Sequence, residues 1–255
     1  MTGNPDWYED GLEHLWLPYT QMQTAPAPIP VTSTDGVRIR LEDGGELIDG
    51  IASWWTACHG YNHPHIRDAM VRQVEAMPHV MLGGMVHEPA ARLAARLAAL
   101  LPGDLNHVFF SESGSVSVEI AMKMAVQYWL NMGVDGRTRF LSFRAGYHGD
   151  TAAAMSVCDP NDGMHSHFKG YLAEQVVVDF PHDAAGLAAF EVVLETRADE
   201  LAAVIFEPLV QGAGGMKFHD PAALGAMAEV ARRHDVILIA DEIFTGFGRT
   251  GTMFA

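Results

Sequence analysis

From residue 106 onward short apolar runs alternate with stretches of helical periodicity, and this alternation restricts the possible folds of the 255-residue chain more than any other feature. The strand-like runs are HVFF at 107–110, FLSF at 140–143, VVV at 176–178, AAVIF at 202–206 and VILIA at 236–240. A helix pattern runs from Ser115 to Met132 and stops at Gly133; others cover 184–198 and 221–233. Strand and helix in alternation require crossover connections, so the expected class is α/β, with a mostly parallel sheet covered on both faces by helices. Residues 1–60 read differently. A Pro-rich stretch from Pro18 to Pro30 precedes VRIRL and ELIDG, which flank Glu42-Asp43-Gly44-Gly45 and predict a hairpin. Behind Pro64, a residue suited to a first helical turn, Ile66, Met70, Val74 and Met77 fall at helical spacing, and Leu93, Leu97 and Leu101 form the stripe of a second helix.

Composition narrows the function. Sixteen Lys and Arg against 32 Asp and Glu give a formal charge of -16, a field that repels phosphate backbones and anionic membrane surfaces. Nucleic acid is therefore not an expected partner. The opening MTGNPDWYED is acidic and polar, and no apolar run approaches a membrane span, so neither an export signal nor an anchor is expected and a cytoplasmic location is. Cys58 and Cys158 lie in no CxxC or metal-ligand spacing, which suits a reducing compartment. His59, His63 and His65 match neither a helical i, i+4 pair nor a finger pattern, and no metal is expected there.

The segments that follow the strand candidates carry the chemistry. HVFF leads into Ser111-Glu112-Ser113-Gly114-Ser115, FLSF into Arg144-Ala145-Gly146-Tyr147-His148-Gly149-Asp150, AAVIF into Glu207-Pro208 and then Gln211-Gly212-Ala213-Gly214-Gly215, and VILIA into Asp241-Glu242. Ligands of open parallel sheets bind at the carboxyl ends of strands, so these four loops are expected to converge. Gly114 and Ser115 open a long helix, where free N–H groups and the dipole favour a phosphate, although a plain helix cap explains the same residues. Tyr147 and His148 are rings between two glycines, suited either to a ligand or to a lid over the core. Asp241 ends an apolar strand and needs a cationic partner, either a buried arginine or the pyridinium nitrogen of an electron-sink cofactor. Phosphate anchor, stacking ring and nitrogen partner together describe a pyridoxal 5′-phosphate pocket. Gly246-Phe247-Gly248-Arg249-Thr250-Gly251 spells GxGxxG, but five residues separate it from its strand and no helix follows, so a nicotinamide-dependent oxidoreductase is the weaker reading.

In order, SWWTACHGYNHP, VMLGGMVH, SESGSVSVEIAMKMAVQYW, FRAGYHGDTAAAMSVCDP, MHSHFKGY, EPLVQGAGGM and IADEIFTGFGRTG closely resemble the class III pyridoxal-phosphate aminotransferases from about His14 onward. The segments SWW, HGYNHP and AMSVCDP are most similar to the biotin-biosynthesis branch. That resemblance implies fold type I and a homodimer, with residues 1–60 contributing to a small domain and 61–255 forming a large cofactor domain incomplete at its C-terminus. It implies that Gly114 and Ser115 bind the cofactor phosphate, that Tyr147 stacks on its ring, and that Asp241 meets its nitrogen with Glu207 nearby. Tyr19, Trp54, Tyr147 and Arg249 would bind substrate. The implied reaction moves the amino group of S-adenosylmethionine to 8-amino-7-oxononanoate, giving 7,8-diaminononanoate. Another class III ω-amino-acid or diamine aminotransferase is the nearest alternative, and a non-catalytic dimerisation module the most distant.

The resemblance also implies a Schiff-base lysine downstream of DEIFTGFGRTG, which the sequence does not reach. Its only lysines are Lys123, Lys169 and Lys217, and none matches. The chain is accordingly expected to be an N-terminal fragment, inactive by itself.

Overall fold

An antiparallel three-stranded sheet and a parallel four-stranded sheet, with a separate two-stranded pair, organise the chain, which the computed structural model describes over residues 5–161 and 163–255. The first unit runs to Glu88 and the second begins at Pro89.

In the first unit α1 (Asp6–Leu12) precedes a long irregular stretch and then β1 (Val31–Asp35), β2 (Arg38–Leu41) and β3 (Glu46–Ile48), an antiparallel meander in the order β1-β2-β3. The predicted hairpin is the β2–β3 turn: Gly44 takes φ +84°, and Asp43 Oδ1 accepts the Gly45 N–H at 2.8 Å, a side chain closing the turn. Asp49 then organises the next bend, accepting the N–H groups of Ile51 and Ser53 at 3.0 and 2.8 Å and the hydroxyl of Tyr61. The bend contains α2 (Ala52–Trp55), in which Ser53 and Trp54 are left-handed at φ 46° and 56°. α3 (Pro64–Ala76) starts on its proline as predicted.

The second unit carries α4 (Glu88–Leu100), α5 (Gly114–Asn131), β4 (Arg139–Phe143), α6 (Ala152–Ser156), β5 (Val176–Val178), α7 (Ala184–Arg197), β6 (Leu201–Phe206), β7 (Val210–Gln211), β8 (Lys217–Phe218), α8 (Pro221–Arg233) and β9 (Ile237–Ala240). The main sheet has the order β5-β4-β6-β9 with every pair parallel. Side chains alternate between faces along each strand. Leu141, Phe143 and Val204 pack with Phe190 and Leu194 of α7 and Met227 and Val230 of α8. Phe140, Ala203 and Ile205 pack on the other face with Val118, Met122 and Trp129 of α5 and Ala154 of α6. Each fully buried Leu, Ile or Phe in these layers contributes about 2–3 kcal/mol. α5, α7 and α8 begin where capping side chains occur: Ser113 Oγ accepts Val116 N–H, Asp183 Oδ1 accepts Gly186 N–H, and Asp220 Oδ1 accepts Ala222 N–H.

One strand expectation fails. HVFF at 107–110 belongs to no ladder, and Phe109 is 65% exposed. A strand exists only through hydrogen bonds to a neighbour, and among the described residues none pairs with this segment.

Beside the first face of the sheet, His219 is buried against Phe180, ring centroids 3.9 Å apart, with His182 stacked on it at 5.2 Å; neither His219 ring nitrogen has a hydrogen-bond partner. Burial pushes its pKa from 6.5 down to about 4. Between those two values the unfolded chain binds this proton and the folded chain does not, so the stability the neutral ring contributes falls as pH drops from 6.5 to about 4 and then levels off. Denaturant midpoints at pH 7 and pH 4.5 test this: His219→Phe, which keeps the stack without titrating, is expected to lose less than the wild type between the two.

Candidate active site

The loops after β4, β6 and β9 and the start of α5 meet as the sequence predicts. The Ser115 hydroxyl accepts the Asp150 N–H at 3.0 Å, which ties the N-terminus of α5 to the loop carrying Tyr147. Glu207, at the end of β6, accepts the Tyr147 N–H on Oε2 at 3.1 Å and the Gly212 N–H on Oε1 at 3.0 Å, joining that loop to the glycine turn. Burial pushes the Glu207 pKa up, partly opposed by His148 and by these two N–H groups. Asp241 follows β9; its N–H donates to the Phe206 carbonyl at 2.8 Å and its Oδ1 accepts the Ile243 N–H at 3.1 Å.

Glycines let these loops approach so closely. A Cβ on Gly214 would overlap the Ala145 carbonyl oxygen, and one on Gly149, at φ +128°, would stand 2.8 Å from Ser115 Cα. A Cβ on Gly114 would press on Ile243, two residues beyond Asp241, at 3.0 Å. The first-turn N–H groups of Gly114 and Ser115 have no acceptor within α5 and stand at its positive end.

Sequence reasoning named His148 as a ring but missed its partner. Its Nδ1–H donates to Asp241 Oδ2 at 2.7 Å, with both side chains buried. The protein partner of Asp241 is thus a histidine 93 residues away, not an arginine, and no spacing rule signals such a pair. Behind it, Cys158 Sγ accepts the His148 N–H at 3.1 Å. Burial raises the Cys158 thiol to about 12. Exposed Cys58 is therefore expected to react with iodoacetamide at pH 8, and buried Cys158 only after denaturation, as peptide mapping will read.

Asp150 and His165 also escaped the sequence reading. Asp150 accepts the Tyr147 hydroxyl on Oδ2 at 2.8 Å and His165 Nε2–H on Oδ1 at 3.1 Å. Arg249 lies in the turns after β9, its guanidinium 5.8 Å from the centre of the Phe244 ring. Tyr19 and Trp54 belong to the first unit, where their rings meet edge to face at 5.8 Å and Tyr19 is 59% exposed. Gly246–Gly251 forms successive turns rather than opening a helix, unlike a dinucleotide fingerprint.

Residues 19–255 match the family described as aminotransferase class-III. The chain belongs to the class-III aminotransferases. Adenosylmethionine-8-amino-7-oxononanoate aminotransferase of Mycobacterium leprae is 50% identical to this class-III chain over 251 residues, covering 95% of it and 58% of that protein. The protein of the same name from Corynebacterium glutamicum is 47% identical, covering 99% of this chain and 60% of that protein. The class-III chain thus spans about three fifths of the length of these relatives. Among solved structures, that of adenosylmethionine-8-amino-7-oxononanoate aminotransferase from Methanocaldococcus jannaschii superposes with TM-score 0.89 at 34% identity, covering 97% of this chain and 56% of that one. An (S)-enantioselective omega-transaminase from Thermomicrobium roseum gives 0.87 at 31%, covering 97% and 58%.

Proposed function

We propose that this class-III chain holds pyridoxal 5′-phosphate and that the whole protein transfers the amino group of S-adenosylmethionine to 8-amino-7-oxononanoate, giving 7,8-diaminononanoate. The observation that carries the reading is the buried His148–Asp241 pair at the end of β9, in the same loop cluster as the Tyr147 ring and the N-terminus of α5. The residues fit the cofactor: a buried carboxylate, a flat ring, a positive helix end, and glycines that leave backbone room where a Cβ would collide.

When bound, the cofactor supplies an electron sink for the pair left when the substrate's amine carbon loses a proton. The chain's own residues supply binding and orientation. Asp241 holds the proton on the pyridine nitrogen, and His148 fixes the carboxylate through Nδ1–H. Gly114 and Ser115 bind the phosphate with backbone N–H groups at the helix end. Tyr147 covers the ring, Glu207 holds the Tyr147 backbone, and Tyr19, Trp54, Tyr147 and Arg249 contact substrate. Residues 1–60 belong with the small domain, and the complete protein works as a cytosolic homodimer.

None of the three lysines serves as the Schiff-base residue. Lys123 lines a groove along α5 with Glu119, Met122 and Ala153, Lys169 donates to Asn161 Oδ1 at 2.9 Å, and Lys217 lies in β8. Borohydride treatment of the chain with pyridoxal phosphate, followed by peptide mapping, is expected to leave all three unmodified. Stoichiometric labelling of any one of them overturns that assignment. The donor is tested with the complete protein: amino transfer to 8-amino-7-oxononanoate from S-adenosylmethionine is expected, and transfer only from ω-amines would establish the alternative class III reading.

A further inference from the structure

We propose that His165 is a positioning residue for Tyr147, holding one face of that ring so that the other meets a planar heteroaromatic cofactor; the inference rests on the cofactor reading above. His165 stands in the short 3-10 segment Gly163–Phe168 and is buried. Its ring lies parallel to that of Tyr147, 13° from coplanar with centroids 5.8 Å apart. One carboxylate fastens both rings at their edges: Asp150 Oδ2 accepts the Tyr147 hydroxyl at 2.8 Å and Oδ1 accepts His165 Nε2–H at 3.1 Å. The shared carboxylate couples the position of the Tyr147 hydroxyl to that of the imidazole edge, and the parallel imidazole limits how the Tyr147 ring can turn about its own axis.

Three of the contacts that hold Tyr147 lie among the described residues. Its backbone N–H is fixed by Glu207, its hydroxyl by Asp150, and one face by the imidazole. Removing the imidazole leaves the first two, opens that face and takes a donor from Asp150. The ring then loses the preorganisation that lets it stack without an ordering cost.

The test is titration of the complete protein with pyridoxamine 5′-phosphate, a probe that needs no lysine, read by fluorescence and by circular dichroism of the bound cofactor. His165→Ala is expected to raise the dissociation constant about tenfold, the combined loss of a ring stack and a hydrogen bond, and to shrink the cofactor dichroic band. His165→Phe keeps the ring and His165→Gln keeps a donor, so each is expected to recover part of the affinity and of the band. The thermal midpoint of the free protein should move no further in His165→Ala than in His167→Ala, a change at a neighbouring exposed histidine. Wild-type affinity and an unchanged band in His165→Ala overturn the inference. So does a loss of binding that follows a loss of thermal stability with no recovery in the Phe and Gln variants. If the complete wild-type protein does not bind the probe, the cofactor reading itself fails and the inference falls with it, an outcome distinct from the first two.

Discussion

Replacing Asp241 by asparagine is expected to weaken pyridoxamine 5′-phosphate binding by about two orders of magnitude, the cost of truncating one partner of a buried charged contact, about 2–5 kcal/mol. The substitution preserves shape, and the asparagine oxygen can still accept the Ile243 N–H. What changes is the other position, where an amide NH2 replaces Oδ2, 2.7 Å from His148 Nδ1; the imidazole can meet it only by moving its proton to Nε2, and the charge is gone. Asp241 is 7% exposed, so the negative charge lost from this site is not replaced by solvent, and among the described residues nothing else there would hold a proton on the cofactor nitrogen. Isothermal titration of the wild-type and variant chains checks this. A change below about threefold would remove Asp241 from the cofactor site, and the loop cluster would then be a structural joint.

The largest stability effect is expected at Gly214. An alanine Cβ there would stand 2.9 Å from the carbonyl carbon and from the Cβ of Ala145, besides overlapping the carbonyl oxygen. The obstacle is mostly backbone, so no rotamer change relieves it, and Ala145 sits in a loop pinned by Asp159, whose Oδ2 accepts the Ala145 N–H at 2.7 Å. Gly214→Ala is therefore expected to cost about 3 kcal/mol, at the upper end for overpacking, and to part the glycine turn from the Tyr147 loop. Gly225 is the opposite case. It lies within α8, exposed, with open space where a Cβ would go. Gly225→Ala is expected to stabilise by about 0.8 kcal/mol, because alanine loses less backbone freedom on entering a helix. Urea denaturation of the two variants beside wild type reads both signs. Equal midpoints for the two would show that the close approach of the two loops contributes little to folding.

Much of the layered core could be read from periodicity and caps. FLSF, VVV, AAVIF and VILIA became the four parallel strands, and α7 and α8 begin within a residue of Ala184 and Pro221, because apolar runs and helix caps are local signals. HVFF carried the same local signal without becoming a strand, since pairing depends on a neighbour that a run of four residues does not specify.

By itself the sequence determined the α/β class, the starts of α3, α7 and α8, and the residue types that gather in the loop cluster: Gly114 and Ser115, Tyr147, Glu207 and Asp241. Only the tertiary structure decided how they are tied together. The partners His148–Asp241, Glu207–Tyr147 and Asp150–His165 are 93, 60 and 15 residues apart. A local pattern records what one side chain prefers in its own element. Which donor meets a buried carboxylate is set by the order β5-β4-β6-β9 and by glycines that let the loops touch, and both belong to the assembled sheet.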